Sequence, residues 1–319
     1  MNESFKTALV TGASGNIAGA LIKKLLARDF RIITLTSSEK FTSNPRIIHI
    51  HHVWGSPIPK ITQPIDVTFH LSCNTSAYLA RDTFHEYMDQ ELNTILGLLS
   101  MLRRNSTNSI FVLAGSMTEY GLNPSGIISE KDVISPMTFY DIAKSTSHHL
   151  AKQFEIEKWI RKAITLRLSN VYGAINATYN KQRGFIDTSI ASALSGKDLK
   201  YFGSGNYLRD FIHIDDTANA FMYAYLNADK LEQSAFNIGT GVGTSIKDAL
   251  EIIAKSAALM SNSKCQVYNS EFTEKSYEIE KRNGVADSSS FREFTEWIPK
   301  IGFSEGIQLS MRKILSLEP

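Results

Sequence analysis

Short apolar runs alternate with amphipathic stretches along the first half of the chain. Six runs have the length and composition of buried strands: Ala8–Val10, Arg31–Leu35, Arg46–Ile50, Asp66–Leu71, Ser109–Ala114 and Ala163–Leu168. Between them, apolar residues recur at helical spacing in three segments: Ile17–Ala27, Met88–Arg103 and Tyr140–Lys158. Strands that alternate with helices predict an α/β fold built on a doubly wound parallel sheet.

The pattern changes after Gly173, where glycine and polar residues interrupt it. Apolar or helical patterns then return in four segments: Phe211–Ile214, Phe236–Gly239, Ile246–Met260 and Gly306–Leu315. We predict a larger domain at residues 1–172, which also receives segments around 209–242, and a smaller lobe at residues 173–319. A length of 319 residues agrees with two lobes, because single cores of that size are uncommon.

Composition excludes several classes of protein. The formal net charge of +2 gives no reason to expect nucleic acid or an anionic membrane as a partner. Cys73 and Cys265 are far apart, so we expect neither a disulfide framework nor a zinc site, and a reducing compartment fits. The first residues lack the features of a signal peptide, and glycines interrupt the uncharged stretch Thr7–Ile22. We therefore expect a cytoplasmic protein without a membrane span.

Three histidines, His49, His51 and His52, lie at the end of the third predicted strand. No carboxylate or cysteine completes a ligand set nearby in the sequence, so we expect a strand-end cluster and no metal site.

A glycine-rich turn joins the first predicted strand to the first predicted helix. Gly12 permits a tight turn, and Gly15 lets the backbone approach a pyrophosphate. The helix that follows directs free N–H groups and a positive dipole end at the phosphates. In this strand–turn–helix context, the turn predicts a dinucleotide site that includes Ser14, Asn16 and Ile17.

The end of the second strand bears on which dinucleotide is bound. An acidic residue there would bind the ribose 2′-hydroxyl and repel a 2′-phosphate. Thr36 stands at this position, followed by Ser37, Ser38 and, further on, Lys40. These residues favour NADP(H), with NAD(H) possible, although the same residues also suit an ordinary solvated loop.

Tyr140 and Lys144 are four residues apart, which places both on one face of a helix. Ser116 lies at the end of the fifth strand, at the edge where doubly wound sheets bind ligands. A tyrosine with a pKa of about 10 needs roughly 4 kcal/mol of stabilisation of its phenolate to act as a base near pH 7. A lysine ammonium and a positive nicotinamide ring supply such stabilisation. The three residues predict proton transfer coupled to hydride transfer.

Several ordered segments resemble the extended short-chain dehydrogenases/reductases, in the group of nucleotide-sugar epimerases, dehydratases and reductases. These segments are Thr11–Ala18, Phe69–Ser72, Asn93, Phe111–Gly121, Tyr140–Lys144, Leu166–Gly173, Gly203–Asp216, Phe236–Gly241 and Trp297–Pro299. The resemblance covers nearly the whole chain and implies a Rossmann-type sheet with a smaller C-terminal substrate-binding lobe.

The resemblance also implies roles for individual residues. It makes Ser116, Tyr140 and Lys144 the catalytic residues. The cofactor would also contact Leu71, Ser72, Ala114, Leu168 and Val171. The substrate, a nucleotide-diphosphate sugar, would contact Thr118, Asn170, Phe185, Arg209 and Arg282. The helices at Met88–Arg103 and Tyr140–Lys158 resemble those that form a four-helix interface in the family's homodimers.

Departures from the family pattern narrow the chemistry. Sugar dehydratases of this group carry an acid pair where this chain has Met117 and Thr118, so we do not expect elimination of water. Glu119 is one position further on and is expected to point elsewhere. The third strand ends in Ile50-His51-His52-Val53, without the aspartate that usually meets the adenine amino group, which puts that contact in doubt.

Our leading interpretation of the sequence is a keto-sugar nucleotide reductase that favours NADP(H). An NAD-dependent 4-epimerase uses the same three residues and is the close alternative. A non-catalytic dinucleotide-sensing protein on the same fold is a remote alternative, because a fold does not determine function.

Overall fold

The computed structural model describes residues 5–38, 43–122, 126–173, 184–271 and 278–316. The strands in these ranges are β1 Thr7–Thr11, β2 Arg31–Thr36, β3 Ile47–His51, β4 Val67–His70, β5 Ile110–Ser116, β6 Ile127–Ile128, β7 Lys162–Leu168, β8 Asn170–Tyr172, β9 Leu199–Phe202, β10 Leu208–His213, β11 Ala235–Ile238, β12 Gly243–Ser245, β13 Val267–Ser270 and β14 Val285–Ala286. The α-helices are α1 Asn16–Leu26, α2 Ala77–Asp82, α3 Phe84–Asn105, α4 Phe139–Ile156, α5 Phe185–Leu194, α6 Ile214–Leu226, α7 Ile246–Ser261, α8 Ser289–Thr295 and α9 Phe303–Leu315. Short 3-10 helices span Met117–Tyr120 and Glu278–Lys281.

Seven strands form one sheet in the order β3-β2-β1-β4-β5-β7-β11. Every neighbouring pair in it is parallel. The direction of strand order reverses between β1 and β4, and doubly wound sheets open a binding crevice at this point. The predicted α/β fold with a parallel Rossmann-type sheet is therefore confirmed.

Helices cover both faces of this sheet. On one face, α1 and α6 pack together, and Phe69 of β4 meets Phe221 edge to face at 6.3 Å between ring centroids. On the other face, α3 and α4 pack together over Phe111, with Leu98 and Leu102 fully buried. Because both faces are covered, the strands consist of almost continuous apolar residues, which is the pattern that predicted them.

Smaller sheets follow in the second half of the chain. Strands β12, β10 and β8 form one sheet, β13 pairs with β9, and β14 pairs with β6. Helices α5, α7 and α9 share a separate core, in which Ile190, Ile253 and Ile307 are fully buried. Strand β11 pairs with β7 in the large sheet, so the chain returns to that sheet after residue 234.

The helix boundaries differ from the predicted ones by a few residues. Helix α3 begins at Phe84, four residues before the predicted start, because its first turn is largely exposed and contributes little to the apolar pattern. The short helices α2 and α8 were not predicted, since six or seven residues give too few turns for a periodic signal.

Candidate active site

The turn after β1 brings the ends of β1 and β4 into contact. The Thr11 hydroxyl accepts hydrogen bonds from the backbone N–H groups of Leu71 and Ser72, both at 3.2 Å, and lies 2.8 Å from Nδ1 of His70. Gly12 has a positive φ of 63°, and a Cβ there would lie 2.8 Å from the Ser72 Cα. Backbone conformation and close approach therefore both require glycine at position 12.

The start of α1 leaves its N–H groups facing open space. Gly15 caps the helix without a side-chain hydrogen bond, and its own N–H donates to the Gly12 carbonyl at 2.8 Å. A Cβ at Gly15 would meet only that carbonyl oxygen within 4 Å. The helix N-terminus can therefore be approached closely by an anion such as a pyrophosphate.

Most of the predicted site residues line one cavity of about 750 Å³. They are Gly12, Gly15, Asn16, Ile17, Leu71, Ala114, Ser116, Tyr140, Lys144, Leu168, Asn170, Val171, Phe185, Arg209 and Arg282. Six other predicted site residues lie outside this lining: Ser14, Thr36, Ser37, Ser38, Ser72 and Thr118. The cavity thus joins the glycine turn, the Ser–Tyr–Lys set and the two arginines in one space.

Thr36 lies behind the glycine turn and supports it. Its hydroxyl is buried, donates to the Ser14 hydroxyl at 2.8 Å and accepts from the Ser38 N–H at 3.3 Å. Ser37 is exposed, and Lys40 lies outside the described residues. The end of β2 therefore presents hydroxyl groups and no carboxylate over residues 36–38.

Tyr140 and Lys144 occupy the first two turns of α4. The Lys144 ammonium lies 5.9 Å from the centroid of the Tyr140 ring, and its side chain is almost completely buried. Burial raises the pKa of Tyr140 well above its ordinary value, and Cys73 acts in the same direction. Lys144 and a hydrogen bond with Ser116 act to lower it. The lysine therefore acts in the predicted direction, but the protein residues alone do not overcome the effect of burial.

A chain of hydroxyl groups connects Ser116 to the start of α4. The Ser116 and Thr118 hydroxyls are 2.8 Å apart, and the Thr118 hydroxyl donates to Oδ1 of Asp141. Because that proton is committed to the carboxylate, Ser116 must be the donor in its bond to Thr118. The Asp141 carboxylate also accepts from the Thr138 N–H at 3.0 Å, which completes the helix cap. Helix α4, which carries Tyr140 and Lys144, and the strand-end Ser116 are thus held to each other.

Glu119 points away from the cavity, as expected, and supports Ser116 from behind. One of its oxygens accepts from the Ser116 N–H at 2.8 Å, and the other accepts from Arg167 Nε at 3.1 Å. The side chain is fully buried, and burial raises the pKa of this carboxyl, while Arg167 acts to lower it.

The far end of the cavity contains the predicted substrate residues. Arg209 is buried and donates to the carbonyl oxygens of Glu280, at 2.8 Å, and Arg282. Burial lowers the pKa of Arg209, and the charge of Arg282 acts in the same direction. Asn170 donates to the Asp210 carbonyl at 3.2 Å, and Phe185 is exposed by 44% at the start of α5.

Several cavity residues were missed from the sequence. The cavity is also lined by Cys73, Thr75, Tyr78, Lys200, Tyr201, Phe202 and Glu280. They lie in loops, a four-residue strand, the six-residue helix α2 and a 3-10 helix, which are too short for a periodic pattern that would single them out.

Two further findings concern the described residues as a whole. No group of three His, Cys, Asp or Glu side chains among them is arranged to hold a metal ion. None of the described helices combines the length and apolar character that crossing a membrane requires.

A doubly wound sheet with a glycine turn and a Ser–Tyr–Lys set on one cavity defines a dinucleotide-dependent oxidoreductase of the short-chain dehydrogenase/reductase class. Within that class, the chain belongs to the NAD dependent epimerase/dehydratase family, whose model matches residues 8–239.

Individual relatives span most of the chain. A putative UDP-glucose 4-epimerase of Methanocaldococcus jannaschii is 26% identical over 308 residues, which cover 94% of this chain and 95% of that protein. A dTDP-4-dehydro-6-deoxyglucose reductase of Escherichia coli is 26% identical over 257 residues, 77% of this chain and 80% of that one. The UDP-glucose 4-epimerase of Thermotoga maritima, solved with UDP-glucose, superposes with a TM-score of 0.79 at 20% identity and covers 97% of this chain and 99% of its own. The Thermus thermophilus enzyme, solved with NAD, gives the same values. At this identity the two structures establish the shared fold.

Proposed function

We propose that the protein is an NAD-dependent epimerase that inverts a carbinol carbon, C4, of a nucleotide-diphosphate sugar. The observation that carries the proposal is the single cavity that joins the glycine turn, the Ser–Tyr–Lys set and two arginines. Several of the similar proteins carry the name UDP-glucose 4-epimerase. These names favour the epimerase alternative over the keto-sugar reductase that the sequence patterns first suggested.

The residues around the glycine turn suit a dinucleotide. The open space above Gly15 and the uncapped N–H groups of α1 would take the pyrophosphate, with Leu71 and Val171 on the cavity wall. Thr36 already bonds to Ser14 and offers no cation for a 2′-phosphate. Because the family is described as NAD dependent, we favour NAD(H) over the NADP(H) that the sequence patterns suggested, and identification of the bound dinucleotide decides between them. When bound, the dinucleotide accepts a hydride from the sugar carbon and returns it.

The chain's own residues would handle the proton. Tyr140, as a phenolate, would take the proton of the reacting hydroxyl as the carbon loses its hydride. It would return that proton to the same oxygen when, after the ring turns, the hydride comes back to the opposite face of the carbon. Lys144 stabilises the phenolate, because its ammonium lowers the pKa of Tyr140. Ser116 would position the reacting oxygen; its own proton is donated to Thr118, so the hydroxyl would have to rotate before it donates to a carbonyl oxygen.

The opposite end of the cavity would bind the diphosphate. Arg209 is buried and Arg282 is partly buried beside the cavity, and a guanidinium pairs with two phosphate oxygens at once. Asn170, from the strand beside Arg209, lines the same wall. The predicted substrate roles of Phe185 and Thr118 stay proposals. Thr118 bonds to Ser116 and lines a smaller cavity that shares Asn170, Arg209 and Arg282 with the large one.

Reduction of a keto-sugar nucleotide is the second candidate. The similarity to the Escherichia coli reductase supports it, as do Met117 and Thr118, which lack the acidic groups that water elimination needs. The two candidates differ in whether the nicotinamide is regenerated in each cycle.

Two measurements on the purified protein separate the candidates. The dinucleotide released on denaturation is identified, and UDP-glucose is supplied without added cofactor, with UDP-galactose as the measured product. The epimerase proposal predicts retained NAD and product formation that Tyr140→Phe reduces by about 10²–10⁴-fold. Tyr268→Phe, on the exposed strand β13, is the matched control and should retain activity. Stoichiometric consumption of NADPH with a keto-sugar nucleotide, and no epimerised product, would instead establish the reductase.

We also propose the predicted homodimer through α3 and α4. Phe84, Leu96 and Ile142 expose about two fifths of their surface on these helices (41%, 39% and 41%), which suits an apolar contact with a second copy. The predicted division at residue 172 likewise stays a proposal; the return of β11 and α6 to the large sheet supports the assignment of residues around 209–242 to the first lobe.

A further inference from the structure

A carboxylate lies in the middle of the apolar face of α3. Glu91 is 0% exposed, one turn after the buried Tyr87 and one turn before the buried Ile95. An unpaired charge is very unfavourable at such a position, so Glu91 requires a partner. The proposed proton transfer does not itself use this residue.

The partner of Glu91 is the lysine of the Ser–Tyr–Lys set. Oε1 of Glu91 lies 3.9 Å from Nζ of Lys144 and accepts a hydrogen bond from the Ser147 hydroxyl at 3.2 Å. Oε2 has no hydrogen bond of normal geometry among the described residues, although the Trp54 indole acts to lower the pKa of this carboxyl. Lys144 and Ser147 lie on α4, so the pair also spans the contact between α3 and α4.

Other titratable groups around Lys144 do not replace Glu91. Cys73, Tyr87 and Tyr140 are neutral in their ordinary forms, and burial raises the pKa of each. His70 is also neutral near pH 7, because burial and the charge of Lys144 lower its pKa to about 3. Glu119 acts on Lys144 only from further away and is bonded to Arg167. Among the described residues, Glu91 is the carboxylate within 4 Å of the lysine.

The two partners oppose the effect of burial on each other. Burial acts to lower the pKa of Lys144, but Cys73, Glu91 and two tyrosines together raise it above the ordinary value, and Glu91 is the carboxylic acid among these groups. Burial raises the pKa of Glu91, while Lys144 and Ser147 act to lower it. The carboxylate therefore favours the ammonium form of the lysine, which is the form that stabilises a phenolate.

We propose that Glu91 is a positioning residue, whose carboxylate holds Lys144 in place as an ammonium beside Tyr140. This inference rests on the proposed function, because Glu91 acts on the reaction through Lys144. Helix α3 contributes no side chain to the cavity. Through Glu91 it would nevertheless control the charge of Lys144 at the catalytic centre.

Carbon NMR of lysine Cε tests the charge directly and needs no substrate. In the wild-type protein, assigned with Lys144→Met, the Lys144 signal should titrate above the ordinary range. In Glu91→Gln, which keeps a similar shape, it should titrate at least about one pH unit lower, because burial is no longer opposed by a carboxylate. Glu86→Gln, at an exposed position of the same helix, is the control and should match the wild type. An unchanged Lys144 titration in Glu91→Gln overturns the proposal.

Kinetic measurements add a second test and distinguish failure of the Glu91 proposal from failure of the proposed function. In Glu91→Gln, kcat should fall by about 10-fold or more, with KM for the sugar nucleotide within about 3-fold, and the alkaline limb of the pH profile should move to lower pH. A lowered Lys144 titration without any turnover of sugar nucleotides in the wild type would support the charge pair and reject the proposed function.

If Glu91→Gln does not fold, the double variant Glu91→Gln/Lys144→Met decides. Recovered folding supports the pair, since the unpaired ammonium is gone, and equal failure contradicts it.

Discussion

Two buried pairs of a glutamate and a cation lie next to the Ser–Tyr–Lys set, and they differ in how tightly they are bonded. Glu119 and Arg167 are 3.1 Å apart, and each makes a further hydrogen bond, to the Ser116 N–H and to the Tyr120 hydroxyl. Glu91 and Lys144 are 3.9 Å apart, and of the two pairs only theirs includes a residue that lines the cavity.

The difference separates support from reactivity. In the first pair, Arg167 donates to Glu119 and to the Tyr120 hydroxyl, and Glu119 in turn accepts from the Ser116 N–H and holds it from behind. In the second pair, the ammonium is close enough to its carboxylate to be stabilised, yet it also faces Tyr140. If Lys144 has the proposed role, its ammonium has a counter-charge that is present but leaves it able to act on Tyr140.

The largest expected effects on kcat and on stability come from replacing the cation of each pair by methionine. Lys144→Met should lower kcat by about 10²–10⁴-fold, because the phenolate loses its cation. Its stability should change by less than about 2 kcal/mol, since Glu91, whose pKa is raised by burial, can take up a proton. Arg167→Met should instead destabilise the fold by roughly 3–5 kcal/mol, because several buried bonds lose their donor. Denaturant unfolding and kcat are measured on both variants.

The reverse ranking would contradict this division of roles. If Arg167→Met lost turnover at wild-type stability, Arg167 would be acting on the reaction. If Lys144→Met lost stability by the larger amount, the loose pair would be chiefly a structural one. Lys162→Met, at a partly exposed position on the same strand as Arg167, controls for loss of a positive charge alone.

Of the four residues in the two pairs, Lys144 was the easiest to identify from the sequence. Lys144 was found because its spacing from Tyr140 is a pattern within one helix, and Ser116 because it ends a strand; the parallel sheet then follows from alternation alone. Glu91 sits on a recognisable apolar stripe of α3, with Tyr87, Ile95 and Leu98, so a carboxylate there was a readable signal. The pairing of Glu91 with Lys144 could not be predicted, because it depends on how α3 packs against α4, and a strand separates these two helices in the sequence.

Other parts of the site depend on loops. The connection from Thr118 to Asp141 was not predicted, because it joins two short turns whose geometry the pattern of apolar residues does not specify. Arg209 was identified from its motif, but its bonds to the carbonyls of Glu280 and Arg282 require a segment without periodicity. Periodicity therefore predicts the elements and the edge of the sheet where the site lies, and side-chain networks across that edge need the structure.

Acid should affect both pairs through a neighbouring histidine. Burial and Lys144 lower the pKa of His70 to about 3, and burial and Arg167 lower the pKa of His148 to about 3. An unfolded histidine titrates near pH 6.5, so the unfolded chain binds protons first, and the stabilisation present above that pH is lost as the pH falls toward 3. Between pH 7 and pH 5, His70 should account for about 2 kcal/mol of lost stability, and the less buried His148 for less.

Glutamine substitutions test this acid sensitivity. His70→Gln and His148→Gln should each narrow the difference in unfolding free energy between pH 7 and pH 5, whereas His85→Gln, at an exposed position of α3, should leave it unchanged. Equal acid sensitivity in all three variants and the wild type would show that neither imidazole is held neutral beside its cation.

The smallest expected effect concerns the bond that links the Arg167 side of the site to the Lys144 side. Thr118 accepts from Ser116, which Glu119 supports, and donates to Asp141, which caps the helix that carries Tyr140 and Lys144. Thr118→Val should cost about 1 kcal/mol of stability, because Asp141 loses one of several donors.

Thr118→Val should also free the Ser116 proton to point into the cavity. Ser116 can then donate to a carbonyl oxygen without rotating, which favours reduction of the keto-sugar. In single-turnover measurements, the rate constant of this reduction should therefore fall less than the rate constant of alcohol oxidation, by a factor of about 3 to 10. Thr118→Ser, which keeps the hydroxyl, should behave as the wild type in both directions, and equal loss in the two directions would show that the orientation of the Ser116 proton has no part in the reaction.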